Sequence, residues 1–451
     1  MSRIITSETD VPRGQVVSSR AATRRAIWNT LRGSSGNVVE WYDVYVYTVF
    51  ASYFENHFFD SADKNSTVYV YAIFAVTFVM RPVGSWFFGR YADRNGRRAA
   101  LTFSVSLMAL CSMVIAVVPG RETIGVGAAV ILLVCRLVQG FATGGEYGTS
   151  ATYMSEAATR ERRGFFSSFQ YVTLISGQVL AQLALLIMQS FLTKPQISDY
   201  GWRIAFFIGG MAAVVVFWLR RTMDESLSED RLAAVRRGQD SESGSLRELF
   251  LHHWRPLLVC FLVSVGGTLA FYVYSVNAPD MVKHSFAGRG MTATWLNMTG
   301  LIFLMLLQPI GGLISDKVGR KPVLVFFGVG GVLYTYFLIT YLQHATPVVG
   351  TLLVTCSSYV ILTGYTSINA IVKAELFPTH VRALGVGIGY ALANSAFGGT
   401  APVIYEAAKK GHITLFSVYA TVVIFVSLLA YLFLLKNKSE TALDREQGHA
   451  F

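Results

Sequence analysis

Glu40 and Asp43 stand three residues apart inside an otherwise apolar run, Asn37-Val-Val-Glu-Trp-Tyr-Asp-Val-Tyr-Val-Tyr47. Helical spacing sets both carboxyls on roughly one face with Asn37 and Tyr47. Arg81 and Arg136 interrupt two further apolar runs, and Gln139, Thr143 and Glu146 follow Arg136 at helical spacing to make one polar stripe. An ionised group deep in an apolar helix costs roughly 2.5–3.5 kcal/mol, so each needs a partner or a water-filled cavity. A guanidinium stays charged and grips a carboxylate with two parallel bonds, whereas a partly desolvated carboxyl titrates near neutrality. The residue types therefore separate an anion site from a proton site. Arg136, with Gln139 beside it, is assigned to a ligand carboxylate. Arg81 is assigned to a second carboxylate or to a pairing with Glu40 or Asp43, and these two acids to proton carriage. The competing reading is a static network of buried ion pairs. Tyr171 and Gln178 share a helical face and join the candidate ligand contacts, as do Tyr272 and Asn394, although such polar groups also serve as bonds between packed helices.

A second constellation occurs twice. Gly89, Asp93, Arg94, Gly96, Arg97 and Arg98 spell G-x-x-x-D-R-x-G-R-R, and Gly312, Asp316, Lys317, Gly319, Arg320 and Lys321 repeat it. Glu156 and Arg163 lie seven positions apart, and Glu375 and Arg382 repeat that spacing. Two marker pairs in one order indicate an internal duplication. The glycines permit a tight turn, the acid caps a helix N-terminus, and the basic residues stay on one side. Asp93, Arg94, Arg97, Glu156 and Arg163 with Asp316, Arg320, Glu375 and Arg382 are therefore expected to form a conformational gate. Lys373, next to Glu375, is expected in the same charged cluster rather than in ligand contact.

The elements that must position these residues are membrane helices. Of 451 residues, 53% are hydrophobic and 14% charged, too apolar for a soluble chain of this length. Twelve apolar windows qualify as spans, centred near Val44, Phe78, Met108, Gln139, Gln178, Met211, Gly267, Phe303, Val332, Tyr359, Asn394 and Val423. The expected fold is an all-α membrane protein with two pseudo-symmetric six-helix bundles. Its expected boundaries are a tail at 1–32 without a signal peptide, bundles at 33–220 and 255–435, a charged linker at 221–254 and a tail at 436–451. The linker reads as a solvated tether or as a surface helix docking the halves. Basic residues such as Arg90, Arg94, Arg162, Arg220 and Lys317 fall in alternate loops, while the opposite loops hold little beyond Lys64, Arg121, Lys194, Lys283 and Arg289. The positive-inside rule then puts both termini in the cytoplasm. The same distribution explains the net charge of +11 without nucleic acid.

Cys111, Cys135, Cys260 and Cys356 lie in apolar stretches without metal-ligand spacing and read as packing residues. No phosphate-cradling loop, metal cluster or nucleophile with its base is evident. The chain is thus expected not to be an enzyme, to need no cofactor, and to draw energy from an ion gradient or from its own substrate. A membrane receptor or scaffold would require a sizeable soluble module, which the sequence lacks.

The duplicated loops resemble the signature of the major facilitator superfamily. Within it, Gly36-Asn-Val-Val-Glu-Trp-Tyr-Asp43, Met80-Arg-Pro-Val-Gly84, Arg136-Leu-Val-Gln-Gly140 and Gly144-Gly-Glu146 resemble the metabolite:proton symporters. Gly145-Glu-Tyr-Gly-Thr-Ser-Ala-Thr-Tyr-Met-Ser-Glu156, Phe169-Gln-Tyr-Val-Thr-Leu-Ile175 and Lys373-Ala-Glu-Leu-Phe-Pro378 look like a bacterial branch specific for α-ketoglutarate. The resemblance covers about residues 24 to 435. It implies a rocker-switch fold, proton symport and uptake of α-ketoglutarate or a related dicarboxylate by a monomer in a bacterial inner membrane. The alternatives within the family are citrate, shikimate, proline and betaine. The short tail after Leu435 lacks the heptads expected of an osmosensing betaine carrier.

Overall fold

The computed structural model describes residues 19–60, 66–158, 160–237, 243–286, 290–344, 347–409, 411–437 and 441–447. The tail before Ser19, the last residues of the chain, Lys64 and Arg289 lie outside the described residues.

A backbone surrounded by hydrocarbon satisfies its polar groups only within helices or closed barrels, and this chain takes the helical solution. The first half holds α1 (Ser19–Phe58), α2 (Ser66–Asn95), α3 (Arg97–Val117), α4 (Gly127–Ala157), α5 (Arg163–Phe191) and α6 (Trp202–Arg221). The second holds α7 (Trp254–Tyr272), α8 (Gly290–Val318), α9 (Arg320–Leu342), α10 (Val348–Thr366), α11 (Arg382–Ala393) and α12 (Ile413–Phe433). Nine helices among the described residues are apolar and long enough to cross a membrane by composition alone. The other spans, α1, α2 and α11, are among those that carry the buried polar chemistry. Large apolar side chains on the outer surface, such as Leu333 at 75% and Phe433 at 79% exposure, present a lipid-facing belt.

The packing repeats with a shift of six helices. In the first half α1 packs on α5, α2 on α4 and α3 on α6; in the second α7 packs on α11, α8 on α10 and α9 on α12. Across the halves, α2 meets α11 and α5 meets α8. Close approach of α2 and α4 depends on glycine: a methyl on Gly84 or Gly144 would strike the backbone of Phe141 or Arg81. That contact brings Arg81 against the polar face of α4, where Ser85 donates to the Gly144 carbonyl at 2.6 Å.

Three second-half helices are irregular where they carry polar side chains. α7 continues through a π turn at Val273–Asn277 into Ala278–Ser285, and α11 through a π turn at Asn394–Gly398 towards Ala401–Ala408. α10 breaks at Ser367 and Ile368 before a short helix, Asn369–Ala374, that carries Lys373. Such interruptions are tolerated at membrane depth where the backbone is buried in protein or lines a cavity.

The expected boundaries differ from the helices at three places. α1 begins at Ser19, inside the segment read as a tail, because Asn29 and Arg32 are tied to Asp224 and the Thr222 carbonyl. The linker is not a free tether. Its short helices, Glu229–Arg236 and Leu246–His252, flank contacts in which Arg90 and Arg94 donate to the Gly244 and Ser243 carbonyls at 3.1 and 2.9 Å. The Glu225 carboxylate caps α3 by accepting from the backbone N–H groups of Arg97 and Arg98. The final tail also folds back as a helix at Ala442–Gln447, with Leu443 fully buried.

Candidate functional site

Near the centre of the molecule Glu40 and Trp41 of α1, Arg81 of α2, Thr143 and Tyr147 of α4, and Tyr390 and Asn394 from the α11 segment line one small cavity. Its volume is about 10 Å³, room for a single water. Both halves contribute to its wall. Arg81 is 3% exposed, and its guanidinium lies 4.2 Å from the Phe78 ring centroid. Its Nε and Nη2 make no hydrogen bond, and neither does either side-chain polar atom of Asn394 or the hydroxyl of Tyr272, which packs against Phe78. Each buried polar atom left without a partner costs about 1–3 kcal/mol, and one water cannot satisfy this set. The cavity is therefore a small polar site with more buried donors and acceptors on and beside its wall than it can satisfy internally. Arg81 makes no ion pair within 4.0 Å among the described residues, with Glu40, Asp43 or any other acid.

Arg136 is placed differently from the expectation. Its Nη1 donates to Asp43 Oδ2 at 2.8 Å and to Gln139 Oε1 at 2.9 Å, while Tyr47 covers the guanidinium at 4.1 Å. Ser112 of α3 donates to the other Asp43 oxygen at 2.7 Å and accepts from Gln139 Nε2 at 3.1 Å. The ring closes inside the first half, among α1, α3 and α4. It does not reach the cavity wall: Arg136, Gln139 and Asp43 form a buried network of the kind weighed as the competing reading, with Arg136 Nε and Nη2 left without a hydrogen bond. The stripe on α4 thus divides: Thr143 faces the cavity, and Glu146 pairs with Arg220 at the end of α6. Arg220, read from the sequence as a loop charge, is fully buried by that pair and by the Leu101 carbonyl.

The remaining candidates spread out. Tyr171 accepts from Asn369 Nδ2 at 3.0 Å, a bond between the halves. Gln178 is fully buried with neither side-chain polar atom bonded, but it is not part of the cavity wall. Lys373 does not join the gate. Its Nζ donates to the Tyr147 hydroxyl at 3.1 Å and lies 3.9 Å from the Tyr390 ring centroid, with no carboxylate within 4.0 Å among the described residues. Two residues apart on a helix point to nearly opposite sides, which is why the adjacent Glu375 misleads. The stacked Tyr147–Tyr390 pair, with centroids 3.6 Å apart, was not singled out from the sequence either. An isolated lysine preceded by Ile368-Asn-Ala-Ile-Val372 was its available signal.

At the face where both described chain ends lie, the duplicated motif crosses from half to half. Asp93 of α2 accepts from the backbone N–H groups of Ala383 and Leu384 at 3.2 and 3.0 Å, capping α11. Asp316 of α8 accepts from Gly164 and Phe165 at 2.8 and 2.9 Å, capping α5. Each acid also binds its motif arginine, Arg97 at 2.5 Å and Arg320 at 2.8 Å. The first glycine allows this approach: a Cβ on Gly89 would lie 2.7 Å from Leu384 Cα, and one on Gly312 3.0 Å from Phe165 Cα. The second glycine turns the chain at positive φ, 102° at Gly96 and 97° at Gly319. Glu156 joins Arg97 and Arg382 at 3.2 and 3.0 Å. Glu375 contacts Arg320 at 3.4 Å, but Arg163 binds Asp444 of the terminal helix at 2.6 Å. Burial pushes the Asp444 carboxyl up, yet hydrogen bonds from Thr441 and Arg163 outweigh it and hold it below the usual carboxylate range.

A profile of the "Sugar (and other) transporter" family matches residues 30–232 and 229–446. The chain is 41% identical over 415 residues to the alpha-ketoglutarate permease of Escherichia coli K12, covering 91% of this chain and 94% of that protein. It is 32% identical to the citrate-proton symporter of Salmonella typhi, covering 87% and 89%. Among solved structures, the proton:xylose symporter XylE bound to 6-bromo-6-deoxy-D-glucose superposes with a TM-score of 0.79 at 16% identity, over 94% of this chain and 99% of that one.

Removing one partner of a buried ion pair strands the other charge, at a cost of about 3–5 kcal/mol, whereas replacing both is far milder. Asp43→Ala should accordingly lower the melting temperature and folded yield in detergent sharply. The double substitution Asp43→Ala with Arg136→Met should restore most of both. Equal loss in the single and double variants would show that the pair is not the static brace described.

Proposed function

The chain belongs to the Sugar (and other) transporter family, within the major facilitator superfamily, and from that premise we propose that it is a proton-coupled symporter of α-ketoglutarate or a related dicarboxylate. Catalysed movement rather than chemistry is the family's trade, and the chain is a multi-pass membrane transporter, not an enzyme. The observation that carries the substrate reading is the cavity between the halves, where the Arg81 guanidinium has two unbonded nitrogens and no ion-pair partner. A carboxylate supplies both missing acceptors in one bidentate contact. The names of the two curated relatives support an organic anion as cargo.

Glu40 is the proton carrier on this reading and Asp43 is not. Asp43 is held by Arg136 and Ser112, so its charge is matched whatever the cavity contains. Glu40 faces the cavity without an ion pair among the described residues, so protonation there changes the field felt by the substrate. The face that carries the basic loops and both described chain ends is taken as cytoplasmic, in a bacterial inner membrane. In the structure that face is closed by the crossed caps of Asp93 and Asp316. Substrate and proton enter from the opposite face, the halves close on them, and the caps part as the cytoplasmic side opens. The monomer contains every residue this cycle needs.

Purified protein in liposomes should accumulate radiolabelled α-ketoglutarate when the exterior is acidic, with a protonophore abolishing accumulation. Unlabelled dicarboxylates should compete better than citrate, and betaine should not compete. Efficient citrate competition with weak competition by α-ketoglutarate would overturn the substrate reading. Glu40→Gln should keep exchange of internal for external label but lose proton-driven accumulation; retained accumulation would remove Glu40 from coupling. Asp93→Asn preserves shape while weakening charge-assisted bonds worth roughly 1.5–3 kcal/mol. About tenfold slower net uptake at unchanged membrane abundance is expected, and wild-type kinetics would dismiss the latch.

A further inference from the structure

Lys373 is fully buried, and among the described residues no carboxylate lies within 4.0 Å of its Nζ. Its surroundings are aromatic: the Tyr390 ring at 3.9 Å, the Tyr147 ring at 4.8 Å and the Tyr365 ring at 5.8 Å, with one hydrogen bond to the Tyr147 hydroxyl. Cation–π contacts favour a desolvated cation by about 2 kcal/mol each, which offsets part of the cost of burying an ammonium but supplies no opposite charge. The same two tyrosines that hold Lys373 also form part of the cavity wall beside Arg81. Tyr147 comes from the first half and Tyr390 from the second, and they stack face to face across the interface.

We propose that Lys373 binds the second carboxylate of the substrate, reached when the Tyr147–Tyr390 stack parts, so that a dicarboxylate bridges Arg81 of one half and Lys373 of the other. The inference rests on the dicarboxylate reading above and adds its second contact. A cavity of about 10 Å³ cannot admit a five-carbon diacid without such a movement. Parting the stack enlarges the cavity towards Lys373 and leaves the tyrosine hydroxyls free to bond the incoming carboxylate. Because the two cations sit on opposite halves, the bridged diacid draws the halves together in a way that a monoacid cannot. Selectivity for two carboxylates and occlusion are then the same event. Glu40, the acid on the cavity wall, belongs to the Arg81 side, and Glu375 is engaged by Arg320.

The test compares binding of α-ketoglutarate and 2-oxovalerate, which keeps the five carbons and the 2-oxo acid but ends in a methyl. Wild-type protein in detergent should prefer the diacid at least tenfold. Lys373→Met should reduce that ratio to below about threefold chiefly by weakening diacid binding, while 2-oxovalerate affinity changes little. Lys373→Arg should keep the ratio above tenfold. Lys373→Met should also melt at a higher temperature than wild type without ligand, because it removes an uncompensated buried charge; a purely structural lysine would give the reverse. Lys373→Gln serves the same comparison should the methionine variant not be recovered folded. An unchanged ratio in the neutral variants overturns the role of Lys373 while leaving the transport reading intact. Failure of wild type to bind either acid overturns the transport reading itself.

Discussion

Charge matching in a medium that cannot solvate charge governs this molecule. In the first half Arg97 is neutralised by Asp93 and Glu156, Arg136 by Asp43 and Arg220 by Glu146, each within 4.0 Å. Arg163 finds Asp444 from the far end of the chain. These pairs are bracing, since breaking any one leaves an orphan charge at a cost greater than the pair ever contributed. Against that background Arg81 and Lys373 are conspicuous, because the same physics that pairs every other cation named here has left them without a carboxylate. Arg81 lines a cavity whose wall the two halves share, and Lys373 lies behind two tyrosines of that same wall. An unmatched charge in such a place is maintained against stability, and a ligand of opposite charge is the economical reason for maintaining it.

The crossed caps tie the two halves in register at one face, the arrangement that the proposed alternating-access cycle would make and break. Asp93 and Asp316 do not pair with each other or with a distant arginine. Each reaches the N-terminal backbone of a helix in the opposite half, where two N–H groups and the helix dipole converge. Such bonds are directional and short, so they are either made or broken, which suits a two-position device better than long-range attraction between charged clusters. The motif arginines hold their own acids, Arg97 on Asp93 and Arg320 on Asp316, and so aim each carboxylate at the opposite helix end. The terminal helix adds a third tie: it follows the second half and its Asp444 meets Arg163 of the first at 2.6 Å.

What was legible in the sequence follows the range of the interactions. The helical spans and the duplication are local or periodic, and the sequence shows them; that the motif acids could cap helices was legible from their type, but the helices they cap lie in the opposite half. The partner of Arg136 is not local. Helical spacing put Arg136 on a polar stripe and Glu40 with Asp43 on another, but which stripe residues face a cavity depends on the rotation of α4 against α2 and α3. That rotation is set by contacts of Gly84 and Gly144 that no window of sequence reveals. Lys373 failed for a related reason: nearness along the chain suggested Glu375, whereas the break in α10 turns the lysine inward. The buried Arg220 and the docked segment around Asp444 required partners more than 70 residues away, beyond any motif.

On the proposed function, the division between matched and unmatched charges also orders the events of coupling. With Glu40 ionised, the two unmatched cations and this one acid leave the central site with a net charge of about +1, from two positive groups and one negative. Protonating Glu40 raises this to +2, which a dianion brings back to zero. A site of low dielectric penalises each unbalanced charge steeply, so the neutral combination of proton and dianion is enclosed more readily than either ligand alone. The proton without the dianion leaves +2 in a closing cavity, and the dianion without the proton leaves −1. Either partial load resists occlusion for the same electrostatic reason. Coupling on this account needs no relay between distant sites, because Glu40, Arg81 and the tyrosines that shield Lys373 belong to a single wall.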